Sequence, residues 1–80
     1  MNIEVIQSII CELISKELHI EASTISMNAS FYELGLDSVN SIFLLAEMEA
    51  RIGKDIDPMS VYDNPTIKSF ASYLHSLANG

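Results

Sequence analysis

The sequence predicts an all-α fold, a small four-helix bundle with three main helices, a short third helix and a long loop between the first and second. Three observations predict it. Apolar residues recur at three- and four-residue steps in three stretches, and cap or stop residues bracket those stretches. The composition suits helical packing, with 49% hydrophobic residues dominated by Leu, Ile and Met and no Trp. Eighty residues make one domain, 1–80, and a chain of this size buries roughly 60% of the surface it exposes when unfolded, so the core is thin.

The first helix is expected over about residues 3–18, where Ile3, Ile6, Ile10, Leu13 and Ile14 form an apolar stripe widened by Val5, Ile9 and Leu18. Glu4 and Glu12 precede Lys16 along it, the favourable order for the helix dipole. Between His19 and Leu36 the period is lost. Ser23, Thr24, Ser26, Asn28 and Ser30 separate the single apolar residues Ile20, Ile25 and Met27, which reads as a long loop anchored across the bundle. Ser30-Phe31-Tyr32-Glu33 has capping-box spacing and suits one helical turn before Gly35.

The second helix is expected over about 38–52, an apolar-rich run without Gly or Pro that Gly53 ends. Leu44, Leu45, Met48 and Ile52 form a stripe to face the first helix, whereas Val39, Ile42, Phe43 and Ala46 lie partly or wholly off it. That surplus is either a docking patch or additional core. Asp57 as cap and Pro58 at the first helical position open a short third helix over about 58–62, from which Val61 and Tyr62 can pack inward. Asp55-Ile56-Asp57-Pro58 superficially looks like a calcium loop, but it lacks that loop's Gly and terminal Glu. Asn64-Pro65-Thr66 then starts the last helix, over about 66–77, with Asn64 or Thr66 as cap. Ile67, Phe70, Ala71, Leu74 and Leu77 repeat along it, and Ala78-Asn79-Gly80 is expected to fray.

The formal charge of −7, with only Lys16, Arg51, Lys54 and Lys68 positive, argues against nucleic acid and anionic membrane as partners. The acidity serves either a basic partner or simple solubility. Cys11 is the only cysteine, so neither an internal disulfide nor a thiolate metal cluster can form. Asn2 and Glu4 stand where a signal peptide has basic residues, and no apolar segment approaches a membrane span. A cytoplasmic monomer is the expectation.

The stretch Leu34-Gly35-Leu36-Asp37-Ser38-Val39 opens the second helix. Gly35 supplies a backbone position without a Cβ, and Asp37 and Ser38 are both good N-cap types. Ser38 either caps the helix or presents its hydroxyl for modification, at a helix mouth whose dipole favours a phosphate. Gly35-Leu36-Asp37-Ser38-Val39 resembles the Gly-x-Asp-Ser-Leu signature of acyl carrier proteins. Phe31-Tyr32-Glu33-Leu34 is similar to the family's preceding Phe-x-x-Leu-Gly phrase, and Val61-Tyr62-Asp63-Asn64-Pro65-Thr66 to its later Val-Phe-Asp-x-Pro-Thr phrase.

The resemblance implies a division of labour. A phosphopantetheinyl transferase attaches 4′-phosphopantetheine from coenzyme A to Ser38, and the thiol of that arm, not Cys11, holds an acyl or aminoacyl group as a thioester. Partners supply the chemistry: an acyl- or aminoacyl-loading enzyme, then ketosynthase, condensation or other synthase domains. Asp37 helps the transferase engage or caps the helix. Val39, Ile42, Phe43, Ala46, Val61 and Tyr62 match positions the family uses for partner or arm contacts.

Carriers of bacterial fatty acid synthesis have a strongly acidic second helix, whereas only Glu47 and Glu49 stand here and Phe43 takes the place of an acid. Tyr62-Asp63-Asn64-Pro65-Thr66 is similar to carriers of polyketide and nonribosomal peptide assembly, and Leu36-Asp37 leans towards the polyketide type. Peptidyl and fatty acid carriers remain the alternatives, and the one-domain length suggests a discrete carrier acting in trans unless it belongs to a larger synthase. Intrinsic catalysis lacks support, because Ser38 is outside a Gly-x-Ser-x-Gly elbow, no motif links His19 or His75 to it, and the eleven carboxylates show no ligand spacing. An unmodified helical adaptor is the reading from a different class.

Overall fold

The computed structural model describes residues 1–80 and contains α1 (Ile3–Leu18), α2 (Phe31–Leu34), α3 (Ser38–Ile52), α4 (Ser60–Asp63) and α5 (Ile67–Asn79), with a 3₁₀ turn at Ala22–Thr24. The helical bundle and its three long elements stand as the sequence predicts. α5 packs most extensively on α1, and α3 packs on α1. The expected stripes make the core: Ile6, Ile10 and Ile14 of α1 meet Leu44, Leu45 and Met48 of α3 and Ile67, Phe70 and Leu74 of α5. Phe70 is fully buried, meets Phe31 edge to face at 5.6 Å, and stacks on Tyr73 at 6.3 Å. No helix is long and apolar enough to cross a membrane.

The long loop is held by backbone as well as by apolar anchors. Ile25 and Phe31 are buried, and Met27 packs against the core from the side. The N–H of Phe31 donates to Pro65 O at 2.8 Å, that of Lys68 to Met27 O at 2.9 Å, and that of Ile67 to Ala29 O at 3.4 Å. The first N–H groups of a helix have no partner inside it. In α5 the loop supplies two acceptors, and Thr66 Oγ1 accepts from Ser69 N–H at 3.0 Å, so Thr66 is the cap.

Two of the three long helices, α1 and α3, are closed by left-handed residues. Gly53 (φ 77°) closes α3, its N–H donating to Glu49 O at 2.8 Å. α1 ends instead on His19 at φ 56°, a conformation that costs a non-glycine residue about 1–2 kcal/mol. Ile20 N–H donates to Ser15 O at 3.1 Å and Ser15 Oγ donates to Ile20 O, which holds the turn.

Three local expectations are corrected. The short helix begins at Ser60 and not at Pro58, because Asp57 closes a turn of its own: its Oδ1 accepts from Met59 N–H and its carbonyl from Ser60 N–H, each at 2.9 Å. Of the pair expected to pack inward from that helix, Val61 is buried but Tyr62 is 68% exposed. The last helix does not end at about residue 77: α5 continues to Asn79, whose Nδ2 donates to Met1 O at 3.1 Å and His75 O at 2.9 Å.

Ser60 is the buried polar residue of the domain, and its hydroxyl has no hydrogen-bond partner. Leaving such a group unsatisfied costs about 1–3 kcal/mol. Ser60→Ala therefore raises the urea unfolding midpoint, by about 1 kcal/mol of stability; a lowered midpoint shows that the hydroxyl is satisfied.

Candidate functional site

The mouth of α3 is built by the turn that precedes it. Phe31 in the core fixes α2, and Gly35 ends that helix at φ 86° with a Schellman pair: its own N–H donates to Tyr32 O at 3.0 Å and Leu36 N–H donates to Phe31 O at 2.9 Å. A Cβ at Gly35 meets nothing within 4 Å, so glycine is required there by backbone conformation and not by space. Leu36 packs half-buried against the core, and the chain enters α3 at a set angle.

Asp37 is the N-cap. Its Oδ1 accepts from Asn40 N–H at 2.8 Å, Asn40 Oδ1 accepts from Asp37 N–H at 3.3 Å, and Asp37 O accepts from Ser41 N–H and Ser41 Oγ, each at 2.9 Å. Ser38 is the first helical residue and is exposed. The reading in which Ser38 itself caps the helix is thereby overturned, since its hydroxyl is engaged in none of these bonds. The backbone N–H groups of Ser38 and Val39 have no acceptor in the chain, the arrangement that favours an anion.

The apolar residues off the core stripe are on the surface: Val39, Ile42 and Phe43 are all more than half exposed, and Ala46 is exposed. Val61 is corrected as a surface contact. At 6% exposure it belongs to the core and reaches the outside only at the floor of a cleft of about 240 Å³. Phe31, Leu36 and Pro65 line that cleft with it, Tyr32 and Tyr62 stand at its rim, and Ser41, one turn from Ser38, contributes a hydroxyl. Tyr32, 92% exposed, and Ser41 escaped the sequence reading. The capping box at Ser30 contained the signal for Tyr32, because a turn that buries Phe31 faces its neighbour outward.

Other candidates lie elsewhere. Neither His19 nor His75 lines the cleft, and no group of three His, Cys, Asp or Glu side chains is placed to hold a metal ion. Cys11 is buried, and desolvation pushes its thiol above the ordinary range. Of the two acids of α3, Glu47 faces Arg51 at 3.9 Å, while Glu49 Oε2 accepts from Ile56 N–H at 2.8 Å and so holds the following loop.

A helical bundle presenting a free serine at a helix mouth is the architecture of a carrier domain. The family described as phosphopantetheine attachment site matches residues 8–74, a span that contains Ser38, and the chain belongs to that family, which holds 4′-phosphopantetheine covalently. Its sequence is 39% identical over 64 residues to polyketide synthase PksL of Bacillus subtilis, covering 80% of this chain and about 1% of that protein's length. Among solved structures, a free-standing peptidyl carrier protein from Acinetobacter baumannii superposes with a TM-score of 0.90 at 30% identity, covering 95% of each chain. An acyl carrier protein from Anabaena with a variant phosphopantetheinylation-site sequence gives 0.88 at 30% identity, covering 96% of this chain and 88% of that one. The chain is thus homologous to carrier domains of polyketide and nonribosomal peptide systems, which work with synthase partners.

The capping role of Asp37 is tested by substitution. Asp37→Ala costs about 1 kcal/mol in urea unfolding, whereas Asp37→Asn stays within a few tenths, because Asn caps as well as Asp. An equal loss in both variants assigns the stabilisation to the carboxylate charge and not to the cap bond.

Proposed function

We propose that this domain carries acyl intermediates of polyketide or mixed polyketide/nonribosomal peptide biosynthesis on 4′-phosphopantetheine attached through Ser38. The observation that carries the reading is the exposed Ser38 hydroxyl standing first in α3 outside every bond of the Asp37 cap. The surroundings fit a phosphodiester: the N–H groups of Ser38 and Val39 have no acceptor in the chain and stand at the positive end of the helix dipole. When bound, the group supplies a flexible arm ending in a thiol that holds the cargo. The chain's own residues supply the mount and the surface around it.

Asp37 and Asn40 hold the first turn, and Gly35 sets its direction. Val39, Ile42, Phe43 and Ala46 offer an apolar face beside the serine for the phosphopantetheinyl transferase, loading enzyme and synthase domains, with Tyr62 at the neighbouring rim. Contacts of this size exchange quickly, as passage between enzymes requires. Tethering raises the local concentration of cargo at each site visited. On this reading another enzyme modifies Ser38, and the domain is a non-catalytic cytoplasmic monomer.

The 39% identity to a polyketide synthase supports the acyl reading, and the likeness to a peptidyl carrier favours aminoacyl cargo as the second. A fatty acid role has less support, because Glu49 is tied into a loop and Phe43 stands exposed on the helix.

Incubation with coenzyme A and a broad-specificity phosphopantetheinyl transferase should add one arm to the intact mass, and Ser38→Ala should add none. No gain, under conditions that modify a control carrier, leaves the helical adaptor as the better reading. Loading assays with acyl and aminoacyl donors then assign the cargo class. In the same assays Phe43→Asp lowers loading by the cognate enzyme about tenfold, equivalent to 1.4 kcal/mol, with an unchanged circular dichroism spectrum; wild-type kinetics remove Phe43 from the interface.

A further inference from the structure

The first six residues of α3, Ser38 to Phe43, include no buried side chain, and the core begins to hold this helix only at Leu44. The capping box fixes the shape of the first turn but not its direction relative to the bundle. Beyond the Gly35 turn that leads into it, one side-chain bond ties this first turn to α1. Asn40 Nδ2 donates to Glu17 Oε1 of α1 at 2.7 Å, across 23 positions of sequence. Among the hydrogen bonds that join two side chains through nitrogen or oxygen, it alone crosses between helices, and both ion pairs of the domain lie within single helices.

Two details make this bond more than an incidental surface contact. The Asn40 amide is engaged at both ends, its Oδ1 accepting from Asp37 N–H while its Nδ2 reaches Glu17, so the planar group couples the cap preceding Ser38 to α1. Glu17 also stands in the last turn of its own helix, where the dipole disfavours a carboxylate, and the start of α3 opposite it supplies the compensating positive end.

We propose that Asn40 and Glu17 are positioning residues that orient the first turn of α3 so that Ser38 Oγ meets the phosphoryl donor in line. This rests on the reading of Ser38 as the attachment residue. In that transfer Ser38 Oγ forms the new O–P bond, its proton goes to a base of the transferase, and the nucleotide part of coenzyme A leaves with the electrons of the broken P–O bond. Glu17 touches none of these atoms and acts through Asn40.

The test uses Glu17→Ala, which leaves Asp37, Ser38 and Asn40 in place, and Glu17→Gln, which keeps an oxygen acceptor. For Glu17→Ala, kcat of arm attachment falls about threefold to fivefold with KM unchanged, the size expected for one exposed bond to a charged group. Exchange of the Asn40 and Ser41 amide protons quickens by a similar factor. Glu17→Gln restores kcat to within about twofold, and the melting midpoint of either variant stays within about 3 °C of wild type. Wild-type kcat in Glu17→Ala, or a loss confined to KM, overturns the proposal, the second by making Glu17 a direct contact of the transferase. If the wild-type chain itself gains no arm, the Ser38 reading has failed, and unchanged amide exchange at Asn40 overturns the clamp separately.

Discussion

Phe31 and Phe70 meet edge to face in the centre of the domain, and beside them the N–H of Phe31 donates to the carbonyl of Pro65. An aromatic pair in this geometry contributes about 0.5–1.5 kcal/mol beyond the area it buries. Its larger effect here is geometric. It joins the end of the irregular stretch to the start of α5, which fixes the four-residue α2, then the turn at Gly35, then the direction in which α3 leaves. The exposed serine is therefore located by a buried contact seven residues before it in the chain.

The acidity of the chain acquires a role that neither solubility nor a basic partner describes. Asp37 caps α3, Glu33 completes the box that opens α2, Asp57 closes the turn before α4, Glu49 accepts from the Ile56 amide, and Glu17 accepts from Asn40. The first four satisfy backbone N–H groups that the helices and turns leave open, and Glu17 takes a side-chain donor. In a domain with so many short elements, orphan N–H groups are numerous relative to core volume, and side-chain acceptors are how so thin a core is supplemented. The surface that remains beside Ser38 is correspondingly apolar, with Val39, Ile42 and Phe43 in the places where charge is absent.

Much of this is legible in the sequence alone. The stripes of α1, α3 and α5 are periodic over three turns or more, and periodicity of that length survives any tertiary detail. Gly35, Gly53 and Thr66 act as their local chemistry predicts, and the carrier signature was readable from Phe31 to Ile67. The departures lie at single residues where the local pattern leaves two choices open or a distant partner decides. Asp57 is as good at closing a turn as at capping a helix, and the amide of Met59 took its side chain. Tyr62 carries both an apolar ring and a hydroxyl, and a single turn of helix gives no period from which to choose its side. Asn79 extended α5 because Met1, far away in sequence, offered a carbonyl. The Asn40–Glu17 bond was invisible for the same reason, since nothing local in either residue names the other.

The free hydroxyl at the start of α3 also bears on thermodynamic linkage. A group esterified to Ser38 Oγ displaces no hydrogen bond of the native state, because the cap is made by its neighbour. A phosphodiester there meets the open N–H groups of Ser38 and Val39 only in the folded chain, so its attachment favours the native state, by about 0.3–1 kcal/mol for a charge at a helix N-terminus. No bond of the Asp37 cap has to break for the Ser38 hydroxyl to receive a group.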